Sequence, residues 1–362
     1  MYLDRGFVIA APEIPISAAM IEALKEWGFK TITSEGESGK KYSTDGTGLS
    51  EAAAETESTD SLESEQIKKA DALFLDLQKF VEALFVQMSN NVSPKINLIA
   101  EKVRDLCNAT KHDRRYLLRV LKDSESADST PTTSYLISHT VKSTILAIII
   151  GSYLKLPNHR LIELGVAAVL HEAGMLSLPP EIYTSTGVLS QEDHKAILSH
   201  PMLGFKLLKS FDLPLAVIMA ALEHHERENG KGYPQHLTGD KISLYSKIIA
   251  VACSYEAQTN KRSYKMTKDG YSGMVNMLKN EGKQYDDTVI RALVFSLSIY
   301  PIGLYVLLSD DRKAQVVDVN PEDPRYPLVQ LQETGGGGKI RILKTSQKGV
   351  HIVRPLASGE QG

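Results

Sequence analysis

The chain has 362 residues, of which 42% are hydrophobic and 23% charged, a balance that is ordinary for a globular protein with a sizeable core. Its formal net charge of −3 gives no strong attraction to a polyphosphate, and no basic patch is evident in the sequence, so a long nucleic acid is not an expected partner. Only Cys107 and Cys253 are present. They predict no disulfide framework and favour a reducing, cytoplasmic location.

The N-terminus and the most apolar stretch predict neither a signal peptide nor a membrane span. Residues 1–5 lack the basic region and the long apolar core of a signal peptide. The apolar run that starts at Ile145 continues only to Leu154, short of the roughly 20 residues that cross a bilayer. We therefore expect a buried helix in this region.

Three segments precede the chemically informative part of the chain. Residues 1–34 show the apolar spacing of a small strand–helix–strand segment. Residues 35–66 contain nine acidic residues and few large apolar ones, which predicts an acidic flexible linker, with a phosphorylatable or partner-binding tail as the alternative. Residues 67–128 have helical periodicity, and their first long apolar face favours core packing over a signalling or dimerising role.

Histidines and one carboxylate recur at predicted helix ends and faces after this helical region. Any one such histidine, taken alone, is more often a hydrogen-bonded core residue than a ligand. Neutral imidazole is nevertheless the commonest metal ligand, and carboxylates suit manganese, iron and magnesium, so the whole set favours a metal site. The set consists of His139, His171, Glu172, His200, His224 and His225.

The order and spacing of short motifs between Tyr135 and Lys265 resemble the HD-GYP domain family. The resemblance implies an all-helical, metal-dependent phosphohydrolase that cleaves cyclic di-GMP. The matching landmarks, after His139, are Leu170-His171-Glu172-Ala173-Gly174, His200-Pro201, His224-His225-Glu226, Gly232-Tyr233-Pro234, Ile249-Ala250-Val251-Ala252 and Arg262-Ser263-Tyr264-Lys265.

The predicted fold is mainly α, with an HD-GYP-type helical bundle over residues 129–300. A short α/β segment precedes it, and residues 301–356 are expected to form a small β-rich C-terminal module. Pairing of this module with the strands of residues 6–33 is a further expectation. The strands predicted in the module are Gly303–Leu308, Ala314–Val319, Leu328–Leu331 and Lys339–Leu343.

The resemblance also implies how a site would be organised. Two divalent ions are expected, iron or manganese or alternatively zinc, with Glu172 as the catalytic, bridging carboxylate. Arg262 and Lys265 match positions that contact a nucleotide phosphate, a role that suits their charges. The metal ligands would be His139, His171, Glu172, His200, His224, His225 and Cys253. The motif Gly232, Tyr233 and Pro234 would form a substrate-side loop that also contacts other signalling proteins, and a homodimer is left open.

Four positions depart from the family pattern. Glu172 replaces an aspartate and is one methylene longer, whereas Met175 stands in the place of a lysine that acts at the phosphate. Tyr135 lacks the carboxylate of members with three ions, which argues against a third ion. Cys253 stands where an aspartate ligand is expected. A thiolate there would favour zinc, and the alternative is a small buried cysteine in a helix.

Two functions remain open on this basis. The first is a slow or metal-shifted phosphodiesterase that hydrolyses cyclic di-GMP to pGpG and onward to GMP. The second is a catalytically degenerate relative that binds a cyclic dinucleotide or a partner protein without turnover. A phosphohydrolase acting on some other nucleotide is a third, lesser alternative. Metal content and product formation distinguish the enzyme from the binding protein.

Overall fold

The structure is a computed structural model that describes residues 53–123, 135–184, 190–259, 270–332, 341–347, 349–356 and 360. The predicted N-terminal segment 1–34 and most of the predicted linker 35–66 therefore lie outside the described residues.

Helices dominate the described chain, in agreement with the mainly α prediction. In chain order they are α1 (Ala53–Ser89), α2 (Ile96–His112), α3 (Arg114–Asp123), α4 (Tyr135–Tyr153), α5 (Asn158–Leu170), α6 (Pro180–Thr184), α7 (Gln191–Leu198), α8 (His200–Ser210), α9 (Leu215–Glu223), α10 (Leu244–Thr259), α11 (Gly270–Lys279) and α12 (Asp287–Leu297), with short 3-10 turns at Ala173–Ser177 and Gly239–Lys241.

The first helix, α1, extends into the segment that was predicted to be a linker. It begins at Ala53 and continues through residue 66 to Ser89, so a flexible linker is wrong for the described end of that segment. Alanine and glutamate are good helix formers, and their frequency between residues 53 and 66 outweighs the shortage of large apolar residues that suggested a linker.

Helix α4 lies at the centre of the bundle. It packs against α5, α10 and α12, and its side chains are buried on all faces from Leu136 to Gly151, apart from the half-buried Ser138. A helix that is apolar all round is stable only when other elements enclose it. Among the described residues α4 is also the one helix long and apolar enough to cross a membrane, but 83% of its most apolar window is buried inside the protein. The buried helix expected around Ile145 is confirmed.

Local signals in the sequence account for where several helices begin. Ser190 caps α7: its hydroxyl accepts a hydrogen bond from the backbone N–H of Asp193, whose carboxylate accepts one from the Ser190 backbone. Asp286 caps α12 by accepting from the backbone N–H groups of Thr288 and Val289.

The C-terminal module is a five-stranded antiparallel sheet with the order β4-β3-β2-β1-β5. Its strands are β1 (Tyr305–Leu308), β2 (Lys313–Asp318), β3 (Leu328–Leu331), β4 (Ile342–Lys344) and β5 (Ile352–Pro355). One face buries a separate small core that includes Val306, Val316 and Val329. Stacking of Tyr271 from α11 on Tyr300, with ring centroids 5.1 Å apart, attaches the module to the helices.

The sequence predicted four of these strands, with small shifts at their ends. Strand β5 was missed because it is short, ends at Pro355 and has no clear alternation of apolar and polar residues. It pairs with β1 and forms one edge of the sheet. Residues 6–33, with which pairing was expected, lie outside the described residues.

The 3-10 turn Ala173–Ser177 packs against α8 through two glycines. A Cβ atom on Gly174 would overlap the carbonyl oxygen of His200 and come within 2.5 Å of the Gly204 nitrogen. Both obstacles are backbone atoms, which cannot rotate away. This close approach sets the position of the segment after His171 relative to the start of α8.

We expect Gly174→Ala to lower the free energy of unfolding by about 3 kcal/mol, since the added methyl overpacks a backbone contact. Gly270→Ala is the matched control, because its Cβ would meet only side chains, Pro301 at 3.1 Å and Tyr255 at 3.5 Å, and alanine favours the helix. Its effect should stay within about 1 kcal/mol. Urea unfolding of the three proteins measures both values, and equal midpoints for the two variants would contradict the packing argument.

Candidate metal centre

The five histidines predicted as ligands converge in the helical bundle. His139 lies in the first half of α4, whereas the other four lie at helix ends: His171 follows α5, His200 begins α8, and His224 and His225 follow α9. His139, His171, His200 and His224 are buried, and His225 is partly exposed. Adjacent rings lie close together; the centroids of His171 and His224, for example, are 5.0 Å apart.

The helix ends also orient three of the imidazoles. The last carbonyls of a helix have no partner within it, so a side chain that follows the helix can donate to them. His171 Nδ1 lies 2.6 Å from the Ala168 carbonyl oxygen, His200 Nδ1 lies 2.6 Å from that of Ile197, and His224 Nδ1 lies 2.9 Å from that of Ala221. With Nδ1–H donating, each ring presents the lone pair of Nε2 to the interior.

The possible ligand atoms form two groups, each with donors within 4.8 Å of one another. We call the first the thiol group; it consists of His139, His171 and Cys253. We call the second the imidazole group; it consists of Glu172, His200, His224 and His225. All but His225 are buried. Two neighbouring groups of this kind are what a pair of divalent ions requires, and the donor types fit such ions.

Glu172, a member of the imidazole group, lies between the histidines of that group and the thiol group. Its Oε1 is 3.6 Å from Nε2 of both His139 and His171, and its Oε2 is 3.6 Å from Nε2 of His200. One carboxylate oxygen thus faces each group. This arrangement suits the bridging role that the resemblance implied, and the additional methylene of glutamate does not prevent it.

The surroundings keep Glu172 ionised and several histidines neutral. Burial would raise the pKa of Glu172, but the neighbouring histidines, His200 first, lower it to about 2. Burial lowers the pKa of His200, and lowers that of His224 and His225 well below the ordinary value, whereas Cys253 raises the pKa of His171 and Glu256 that of His139, each against the effect of burial. Ionised carboxylates and neutral imidazoles are the forms that bind a metal ion.

Cys253 lies on α10 with its Sγ 3.2 Å from Nε2 of His171. Burial would raise the pKa of the thiol, but His171 and then His139 lower it to about 6. A thiolate is therefore accessible near neutral pH, and the thiolate is the form that binds metal. The placement among two inward-facing imidazoles favours a ligand over the alternative of a simple packed cysteine.

Glu256 is a site residue that was not predicted from the sequence. Its buried carboxylate contacts Nδ1 of His139, and it raises the pKa of that imidazole against the effect of burial. It therefore orients His139 as the helix carbonyls orient the other rings. Cys253 and Glu256 are three residues apart on one helix and so share a face, which is the signal that could have identified Glu256.

Tyr135 and Met175, two of the departures from the family pattern, lie beside this site. The Tyr135 ring stacks on the His139 imidazole with centroids 5.6 Å apart. An aromatic ring therefore stands at the position where the family pattern for three ions has a carboxylate. Met175 is buried in the 3-10 turn after Glu172. Arg262 and Lys265, predicted to contact phosphate, lie outside the described residues.

Two buried glutamates hold the chain around His224 and His225. Glu223 accepts hydrogen bonds from the Ser243 backbone at 3.0 Å and the Ser246 hydroxyl at 2.9 Å, which joins the end of α9 to α10. Glu226 accepts from the backbone N–H groups of Gln235, at 2.6 Å, and Leu237, at 2.9 Å. Neither role was predicted from the sequence.

The loop Gly232-Tyr233-Pro234 folds back onto the site. Tyr233 donates its backbone N–H to the His225 carbonyl, at 3.2 Å, and stacks its ring on the His225 imidazole with centroids 4.7 Å apart. Gly232 leaves no room for a Cβ, which would lie 2.5 Å from the Glu226 Cα. The motif expected to form a substrate-side loop therefore lies against His225.

A cavity of about 360 Å³ opens beside His225 and this loop. It is lined by His225, Arg227, Asn229, Lys231, Gly232, Tyr233, Glu281, Gly282 and Gln284. Arg227 donates to the Glu226 and His224 carbonyls and lies over the Tyr285 ring, so its position is fixed. The lining thus combines cations, amides and an aromatic ring next to a possible metal ligand.

Comparison with known proteins identifies a domain type. Residues 123–289 match the sequence profile of the family described as HD domain. The chain is 28% identical over 226 residues to "Cyclic di-GMP phosphodiesterase PdeB" of Borreliella burgdorferi, covering 62% of this chain and 59% of that protein. It is 31% identical over 198 residues to "Cyclic di-GMP phosphodiesterase PA4108" of Pseudomonas aeruginosa, covering 54% and 48%. The chain therefore spans roughly half of the length of these curated relatives.

A solved structure supports the fold. Bd1817, described as an HDG"Y"P protein from Bdellovibrio bacteriovorus, superimposes with a TM-score of 0.50 at 16% identity. The superposition covers 67% of this chain and 79% of that one. At this identity the likeness concerns the fold alone.

Removal of the Glu256 carboxylate tests its role in orienting His139. We expect Glu256→Gln to weaken metal binding about ten- to hundredfold, the usual effect of losing an outer partner of a ligating histidine. Glu163→Gln is the control, because Glu163 accepts the Tyr245 hydroxyl instead, at 2.6 Å. Titration of the metal-free proteins with manganese measures both affinities. Unchanged affinity in Glu256→Gln with unchanged folding would show that His139 needs no such partner.

Proposed function

We propose that the chain, whose residues 123–289 match the HD domain family, is a metal-dependent phosphodiesterase of the HD-GYP type that hydrolyses cyclic di-GMP to pGpG and GMP. The observation that supports the proposal most directly is the position of Glu172, with one carboxylate oxygen toward each of two groups of ligand atoms. The names of the relatives supply the substrate class. The proposed ligands are the residues of the two groups, with iron or manganese as the expected ions and zinc as the alternative.

Two divalent ions at these groups would polarise a phosphodiester and acidify a water molecule, the usual contribution of a two-metal site to phosphoryl transfer. The residues of the chain supply the rest. Glu172 remains ionised, and one oxygen of its carboxylate faces each group of ligand atoms. The inward-facing Nε2 atoms hold the ligand geometry without reorganisation, because Nδ1 of each oriented ring is already engaged.

The cavity beside His225 is the proposed position for part of the nucleotide. Its volume of about 360 Å³ suits a base or a sugar-phosphate unit more than a whole cyclic dinucleotide. Arg227 and Lys231 provide positive charge, Tyr233 an aromatic face, and Asn229 and Gln284 provide hydrogen-bonding amides. Arg262 and Lys265 remain proposed phosphate contacts on sequence grounds.

A catalytically degenerate binding protein is the second candidate. It is favoured by Met175, a buried thioether in the place of a lysine, because a thioether supplies no charge at the phosphate. In that case the Gly232-Tyr233-Pro234 loop would contact cyclic dinucleotides or signalling partners without turnover, and the long helix α1 would transmit the bound state. A homodimer is a further part of this proposal. Both candidates are proposed as cytoplasmic, since Cys107 and Cys253 are free thiols.

Metal content and product formation separate the two candidates. We expect the full chain, purified with iron or manganese available, to contain about two ions and to convert cyclic di-GMP to pGpG. His171→Ala and His224→Ala each remove one ligand from a different group and should lower the rate at least about a hundredfold. Chromatography of the nucleotides and elemental analysis measure both. Absence of product with iron, manganese and zinc alike would leave only the binding protein.

Charge reversal at the cavity tests where the substrate binds. We expect Lys231→Glu to raise KM about tenfold with little change in kcat, since Lys231 would act on the substrate before and during the reaction alike. Lys241→Glu is the control, because Lys241 is exposed at the Gly239–Lys241 turn and does not line the cavity. Steady-state kinetics with cyclic di-GMP measures KM and kcat of both variants. Equal KM values would show that the substrate does not bind in this cavity.

A further inference from the structure

We infer that the centre holds two different metals: a sulfur-preferring ion such as zinc in the thiol group, and the harder iron or manganese ion in the imidazole group. This inference rests on the proposed function in so far as both groups bind metal. It concerns the chemistry of Cys253, which distinguishes one half of the centre from the other.

Ligand type is the reason for the difference. Thiolate ligands select zinc and other soft or borderline ions, whereas carboxylate and water suit manganese and magnesium, and imidazole serves both classes. The thiol group offers two imidazoles and one sulfur, while the imidazole group offers three imidazoles and a carboxylate. Sulfur is thus present on one side only.

Geometry places the sulfur among the ligand atoms of its own group. Cys253 Sγ lies 3.2 Å from Nε2 of His171, and all three donor atoms of the group lie within 4.8 Å of one another. Oε1 of Glu172, 3.6 Å from Nε2 of both His139 and His171, is available as a fourth donor. Four donors that include nitrogen and sulfur are the set that zinc adopts most often in proteins.

The other cysteine lies in a different environment, which makes it a matched control. Cys107 is fully buried on α2 within the apolar core, and burial raises the pKa of its thiol to about 11. Such a thiol remains protonated and inert. Any signal from a metal–thiolate bond is therefore assigned to Cys253.

Cobalt(II) is the probe for the sulfur ligand, because a cobalt–thiolate bond gives a charge-transfer absorption band in the near ultraviolet that nitrogen and oxygen ligands do not give. We expect the full chain loaded with cobalt to show this band with an intensity corresponding to one thiolate per chain. Cys107→Ala should retain the band. Cys253→Asp and Cys253→Ser should lose it while the imidazole group still binds cobalt.

Competition between metals tests the selectivity itself. The metal-free full chain is incubated with zinc and manganese, and its metal content is then measured by elemental analysis. We expect the unmodified chain and Cys107→Ala to retain one tightly held zinc ion. In Cys253→Asp the preference for zinc over manganese at that ion should fall at least about tenfold, because even the loss of an outer partner changes metal affinity by that much.

The inference is overturned if the cobalt-loaded chain lacks the near-ultraviolet band, or if the band persists in Cys253→Asp. It is also overturned if Cys253→Asp leaves the zinc preference unchanged. A chain that hydrolyses cyclic di-GMP but lacks the band would retain the proposed function without the mixed centre. A chain with the band and no hydrolysis would retain the mixed centre and lose the proposed phosphodiesterase.

Discussion

The contact on which the site depends is the buried carboxylate of Glu172 between two sets of imidazoles. An isolated buried carboxylate would be expected to take up a proton, because burial disfavours the charged form. The surrounding histidines reverse this effect and lower its pKa to about 2. The negative charge is therefore kept at the point where the two groups meet. One oxygen of the carboxylate lies 3.6 Å from a ring nitrogen of the thiol group, and the other lies 3.6 Å from a ring nitrogen of the imidazole group.

Helix termination makes this arrangement possible. His171, His200 and His224 each donate Nδ1–H to a carbonyl of a preceding helix, which satisfies a helix end and fixes the ring at once. Packing of α9 against α5 and α8, together with the contact between α7 and α8, then brings the ends of α5, α7 and α9 together. The glycine contact between Gly174 and α8 is part of the same geometry, because it joins the turn after Glu172 to the helix that begins at His200.

The sequence was informative where chemistry depends on residue type and order, and less so where it depends on packing. The histidines and the Gly232-Tyr233-Pro234 motif could be recognised because their order and spacing in the sequence match those of a known domain family. Glu256 was missed because a glutamate within a helix normally faces solvent, and only the fold shows that it is buried against His139. Strand β5 was missed for a similar reason, since its stability comes from pairing with β1 and not from its own pattern.

The departures from the family pattern change the character of the centre without dispersing it. In a site that had lost its function, we would not expect three imidazoles to keep Nδ1 hydrogen-bonded to backbone carbonyls and Nε2 pointing toward a common centre. Instead, the histidines remain oriented, and the changes occur at acidic positions: a longer carboxylate at Glu172 and a thiol at Cys253. A thiolate forms longer bonds to zinc than a carboxylate does, about 2.3 Å against about 2.0–2.2 Å. The more flexible glutamate can adjust to that difference, so both substitutions fit the proposed centre with two different metals.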